Sequence, residues 1–237
     1  MTDSSRRRTA ASGPHEGQEL LTAGAPAMAT EAAVVLCHGR GATAQGVLNL
    51  FDPLYRHGVA FLAPQAERSR WYPRPTTAPR TENEPWLTSS VECVDAGLEA
   101  ARSIGVPPER TLLGGFSQGA SVVAEFVRRN PGHYGGVFLL SGVLPGDVDD
   151  ATDVTDPVDA SDADRRNDRT IPAGLEGTPI LVGWGEDDPR IDPERAAETA
   201  ETFERAGGDV DERIYPDVGH EVTDDEFEAI RAMLPES

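Results

Sequence analysis

Lysine is absent from this 237-residue sequence: all 21 basic residues are arginine, set against 41 aspartates and glutamates, for a formal net charge of −20. A surface so poor in positive charge repels phosphate backbones and anionic lipid heads, so neither nucleic acid nor a membrane is an expected partner. A GC-rich genome explains arginine in place of lysine but not the acidity. The combination matches proteins adapted to molar salt, where charges are screened within about 3 Å, and a salt-rich cytoplasm is the expected setting. Cysteine is scarce as well. Cys37 and Cys93 have no metal-ligand spacing and make no disulfide scaffold, so both are expected to be small buried residues. No apolar run approaches the roughly 18 residues of a membrane helix, and SRRR at 5–8 lacks the apolar stretch that follows in a signal peptide.

What remains is 38% hydrophobic and long enough for a full core. Residues 1–16 are polar and are expected to form a disordered tail, with one domain over 17–237. QELLTAG has the character of an edge strand. AAVVLC at 32–37 and VAFLAP at 59–64 are short continuous apolar runs, as buried strands are. Between them TAQGVLNLFDPLYRHG has a helical pattern with Gly58 as its stop. Gln65 to Pro85 is an irregular loop rich in proline and arginine, followed by a helix over about 86–104. RTLLGGF is then a strand, SQGASVVAEFVRRN a helix and GVFLLSG a strand. Residues 146–170 interrupt the rhythm with nine aspartates; the spacing does not fit an EF-hand, and a solvated insertion is expected. TPILVGW, PERAAETAETFERAG, DVDERIYP and a last helix from about Thr223 resume the alternation. Such alternation predicts an α/β fold with a mainly parallel sheet covered on both faces.

GFSQG, at 115–119, places a serine between two glycines where a strand turns into a helix. This is the pattern of a nucleophile elbow, which exposes one hydroxyl at the top of the sheet. Ser117 as a nucleophile needs a base and an acid to orient that base, in the chain order serine, acid, histidine. Of five histidines only His220, in YPDVGHEV, lies far downstream. VGWGEDDPRI offers Glu186, Asp187 and Asp188 as acids, and spacing alone leaves the choice open. Gln118, at the helix start, supplies one backbone N–H for an oxyanion. Arg40, in the HGRGA loop after an early strand, is the candidate for the second.

Together LCHGRGA, RWYP, NEPWL, GGFSQGA, EGTPILVG, DDPRI and RIYPDVGHEV, in this order, resemble the phospholipase/carboxylesterase group of α/β hydrolases. The resemblance implies a Ser117–Asp188–His220 triad, an oxyanion hole at Arg40 and Gln118, and an acyl pocket bordered by the loop of Trp71 and Tyr72. Trp184 and Arg190 depart from the pattern the resemblance implies, a small residue at 184 and a smaller or imidazole side chain at 190. The expected function is a serine carboxylesterase or thioesterase that uses no metal and no cofactor. Trp71, Tyr72 and Phe116 would form a cleft for small to medium acyl or aromatic esters, although Phe116 and Trp71 could equally be core. A non-catalytic binder on a hydrolase scaffold and a dienelactone-hydrolase-like enzyme are the alternatives. A small-molecule ester is the expected partner, in the cytoplasm, and a homodimer is compatible with this reading.

Overall fold

Apolar runs that are buried on both faces can only sit inside a sheet covered on both sides. In the computed structural model, which describes residues 6–146 and 173–235, such runs form the centre of an eight-stranded sheet. The strands are β1 (Arg6–Arg8), β2 (Glu19–Gly24), β3 (Ala32–Cys37), β4 (Val59–Pro64), β5 (Thr111–Phe116), β6 (Gly136–Leu140), β7 (Pro179–Gly185) and β8 (Asp209–Tyr215). Their spatial order is β1-β2-β4-β3-β5-β6-β7-β8. β1 and β2 are antiparallel to their neighbours, whereas β4 through β8 pair in parallel. Every residue of β3, β4 and β6 is buried, while β8 at the sheet's end is mostly exposed and charged. Charge on an edge strand discourages pairing with another chain.

The two-residue period of a strand divides the core between the two faces. Ala33, Val35 and Cys37 pack with Val94, Leu98 and Phe126, from helices α3 (Trp86–Ser103) and α4 (Gln118–Arg129). Ala32, Val34 and Leu36 pack on the other face with Val47 of α1 (Ala44–Leu50), Phe138, Phe227 and Ile230. A short α2 (Arg80–Asn83) lies in the loop before α3, and α5 (Pro193–Arg205) and α6 (Asp224–Met233) complete the set. Cys37 and Cys93 are buried free thiols, and burial pushes the Cys93 thiol up to about 12. Among the described residues no helix is long and apolar enough to cross a membrane.

Three expectations change. The first is the disordered tail over 1–16: Arg6–Arg8 form β1 and Gly13–His15 a 3-10 turn, and residues 1–5 lie outside the described residues. The polar composition hid its anchor, which is a single buried histidine. His15 Nδ1 accepts from the Glu67 N–H (3.0 Å) and its Nε2–H donates to Trp71 O (2.9 Å). Second, the helix expected to run to Gly58 stops at Leu50 and gives way to a 3-10 turn, Asp52–Leu54, because Pro53 has no N–H to carry the helix on. Third, the loop from Gln65 to Pro85 contains α2 and a 3-10 turn, Glu67–Ser69. The aspartate-rich insertion at 146–170 lies outside the described residues except for Gly146.

Candidate active site

β5 passes into α4 through one residue. Ser117 has φ 58° and ψ −126°, a left-handed backbone that a side chain adopts at a cost of about 1–3 kcal/mol. Two hydrogen bonds hold it there: its N–H donates to Leu140 O (2.8 Å), and its carbonyl accepts from the Ser121 N–H (3.2 Å). The flanking glycines are there for space. A Cβ on Gly115 would lie 2.6 Å from Cys37 O, and one on Gly119 only 2.1 Å from the same atom. The end of β3 therefore crosses directly against the elbow.

The histidine and the acid meet across the top of β7. His220 Nδ1 lies 2.7 Å from Asp188 Oδ2, and Asp188 is 5% exposed. Asp188 Oδ1 accepts from the Arg190 N–H (2.9 Å). A carboxylate acceptor at Nδ1 puts the ring proton there and leaves the Nε2 lone pair outward. That Nε2 is buried and has no hydrogen-bond partner among the described residues. The Phe116 ring packs on the imidazole with centroids 4.6 Å apart. Glu186 and Asp187, the other two acids that spacing allowed, are exposed.

Around the serine, HGRG and the start of α4 converge. A Cβ on Gly39 would lie 3.5 Å from Ser117 Cβ, so the loop runs close beside the serine. The Gly41 N–H donates to Ser69 O and the Ala42 N–H to Gly39 O, and those bonds use neither the Gly39 nor the Arg40 N–H. Gln118 is the first residue of α4, and its N–H is one of the helix's unpaired amino-terminal donors. Nearby His38 is neutral: burial lowers it to about 4, its Nε2 accepts from the Ala66 N–H and its Nδ1–H donates to Gly39 O.

Trp71 and Tyr72 require a correction. Both are fully buried, and neither lines a cavity beside Ser117. They form a scaffold beneath the loops. Trp71 Nε1–H donates to His38 O (2.7 Å), and Gln118 holds both residues, accepting from the Trp71 N–H (3.0 Å) and donating to Tyr72 O (2.9 Å). The Arg40 guanidinium donates to Tyr72 O (2.6 Å) and Pro73 O (2.8 Å). The side chains of Arg40 and Gln118 thus grip one backbone segment and orient their own N–H groups. RWYP carries an aromatic signal that a sequence reading assigns to a pocket, whereas its carbonyls do the structural work.

Ser117 stands where two cavities meet. One, of about 140 Å³, has Val47, Leu50, Phe116 and His220 in its wall. The other, of about 540 Å³, has Gln118, Ser121, Ser141 and Val143 together with several arginines. Trp184 is buried in β7. Among the described residues no cluster of three or more histidine, cysteine or acidic side chains is placed to hold a metal.

A family model described as phospholipase/carboxylesterase matches residues 21–155, more than half of the chain. An acyl-protein thioesterase 1 from Gibberella zeae is 32% identical over 130 residues, which is 55% of this chain and 49% of that protein. A probable carboxylesterase SOBER1-like protein from Arabidopsis thaliana is 26% identical over 160 residues, 68% of this chain and 55% of that one. The chain therefore spans about half the length of the curated relatives it matches. Among solved structures, a phospholipase/carboxylesterase from Dyadobacter fermentans superposes with a TM-score of 0.76 at 26% identity, over 96% of each chain. A carboxylesterase from Mesorhizobium loti shares the fold, with a TM-score of 0.64 at 22% identity over 91% of this chain and 93% of that one. The chain belongs to the phospholipase/carboxylesterase family and has the α/β-hydrolase fold.

Proposed function

We propose that the protein is a serine hydrolase of carboxylic esters or thioesters that works through an acyl-enzyme on Ser117. The observation that carries this reading is the Asp188–His220 hydrogen bond of 2.7 Å, with Nε2 left without a partner, close to a serine held in a strained turn. Ser117 Oγ attacks the acyl carbon while its proton passes to His220 Nε2. Asp188 steadies the imidazolium that forms. The negative oxygen of the tetrahedral intermediate is held by the N–H groups of Arg40 and Gln118, and the positive end of α4 adds to that field. Collapse of the intermediate breaks the bond to the alcohol or thiol, which leaves with the proton from His220. Water then gives up a proton to His220 and attacks the acyl carbon, and the second tetrahedral intermediate collapses with cleavage of the bond to Ser117 Oγ, which takes the proton back from His220 as the acid leaves. No bond between Ser117 and His220 is needed beforehand, because such contacts tighten when substrate arrives.

The two cavities suit small to medium esters, one substituent in each, with Phe116 lining the smaller. We infer a salt-rich cytoplasm as the setting, from the net charge of −20 without lysine. The test is hydrolysis of p-nitrophenyl esters, acetate to octanoate, in molar potassium chloride, by the wild type and Ser117→Ala. Loss of the nucleophile is expected to lower kcat by about a thousandfold or more. A folded wild type no faster than the variant on any ester in the series would sink this reading.

A further inference from the structure

Acids outnumber arginines about two to one in this chain, and several arginines away from the serine have acidic partners. Arg128 and Arg129 pair with the buried Glu125, and Arg213 pairs with Asp211 and Asp225. The larger cavity beside Ser117 differs. Arg40, Arg74, Arg190 and Arg195 all line it, against one acid, Asp192, whose carboxylate caps α5 by accepting from the Glu194 N–H (3.0 Å). Arg74 reaches Glu82 only at 4.0 Å, and both are well exposed. Arg40, Arg190 and Arg195 have no acidic partner among the described residues.

Arg195 is the more telling of these. It is 9% exposed, its Nη2 donates to Leu144 O (3.0 Å) and Gly146 O (2.5 Å), and its Nε has no partner among the described residues. Ser141, 3% exposed and also in the wall of this cavity, has a left-handed backbone (φ 47°) and a hydroxyl with no partner. Each buried donor without an acceptor costs about 1–3 kcal/mol, and the two residues that carry these donors both stand in the wall of this cavity, which favours a ligand that accepts. Planar guanidinium groups suit a carboxylate, whose two oxygens match their paired donors.

We infer that the ester cleaved at Ser117 carries a carboxylate, bound in the larger cavity by Arg195, Ser141 and Arg190. The uncharged part of the ester lies in the smaller cavity, along Val47, Leu50 and Phe116; Arg40 and Arg190 stand in the walls of both cavities, and Arg195 and Ser141 in the larger one alone of the two. This rests on the serine-hydrolase reading and adds the class of substrate to it. Arg190 and Arg195, the latter at the start of α5, both come from the segment that carries Asp188.

Two pairs of equal length test it, in molar potassium chloride. Ethyl hydrogen adipate is compared with ethyl hexanoate, which puts the charge on the acyl side, and 6-acetoxyhexanoate with hexyl acetate, which puts it on the alcohol side. In at least one pair kcat/KM is expected to favour the charged ester by about tenfold, the effect of one charge-assisted hydrogen bond. Salt screens the exposed Arg190 more than the buried Arg195, so the preference persists in part. Arg195→Gln and Arg190→Gln are each expected to reduce that preference severalfold, and Arg190, being exposed, carries the test if the buried replacement prevents folding. Turnover of the neutral esters with no preference for the charged ones overturns the inference and leaves the hydrolase reading standing. No turnover of these four esters or of the p-nitrophenyl series overturns both. Faster cleavage of 5-acetoxypentyl phosphate than of 6-acetoxyhexanoate overturns the choice of carboxylate.

Discussion

Asp188 shows how much one residue's surroundings decide. It stands beside Asp187 and Glu186, chemically equivalent to them in the sequence, yet it alone is buried and reaches His220. Its proline neighbour and the turn after β7 aim it inward, while the Asp187 N–H is spent on Val218 O. Asp188→Asn keeps the shape but favours the wrong tautomer of His220, and is expected to lower kcat by about 10³–10⁴ with little change in KM. Asp187→Asn, at an exposed position, is expected to stay within about twofold. Equal losses from the two, measured on one ester, would mean that Asp188 is not the orienting acid. Spacing left three candidate acids and the resemblance pointed to Asp188; of the three, it is the one that is buried and hydrogen-bonded to His220.

At the scale of elements, the crossing of β3 behind the elbow is a tight constraint. A methyl at Gly119 would meet both Cys37 O and His38 O at less than 3 Å, and neither strand nor helix can withdraw without breaking the β3–β5 pairing. Gly119→Ala is expected to cost about 3 kcal/mol or more. Gly219→Ala, where a Cβ has nothing within 4 Å, is expected to change stability by about 0.5 kcal/mol at most. Urea midpoints of the two variants decide the point, and similar values would contradict a packed elbow. The strands and helices themselves were legible, because apolar runs and 3.6-residue patterns follow from burial. The end of α1 was misread: the apolar pattern continues through Leu54, while Pro53 interrupts the backbone hydrogen bonds on which the helix depends.

Across the whole molecule, two buried histidines tie the amino-terminal segment and the HGRG and RWYP loops together. Burial lowers both His15 and His38, the latter to about 4. The unfolded chain takes up these protons first as pH falls below about 6.5, so the native state loses stability from there down to about pH 4. For His38 the slope is about 1.4 kcal/mol per pH unit within that window. Glu226, raised by burial, acts in the opposite direction, so the wild type alone does not isolate the histidine. Urea unfolding at pH 7, 6 and 5 is expected to show a steeper fall for the wild type than for His38→Gln. Parallel lines would mean that His38 is not kept neutral by the fold.

The order of strands and helices, the elbow at Ser117 and the position of His220 were set by the sequence itself, since they depend on local pattern and chain order. Composition likewise determined the acidic surface. Three features came only with the tertiary structure. Trp71 and Tyr72 are core because their carbonyls and the indole N–H find partners from distant loops. His15 is an anchor because its ring nitrogens meet Glu67 and Trp71, more than fifty residues away. The arginines of the larger cavity come from three separate places in the chain, and only the folded sheet gathers their charge beside one hydroxyl.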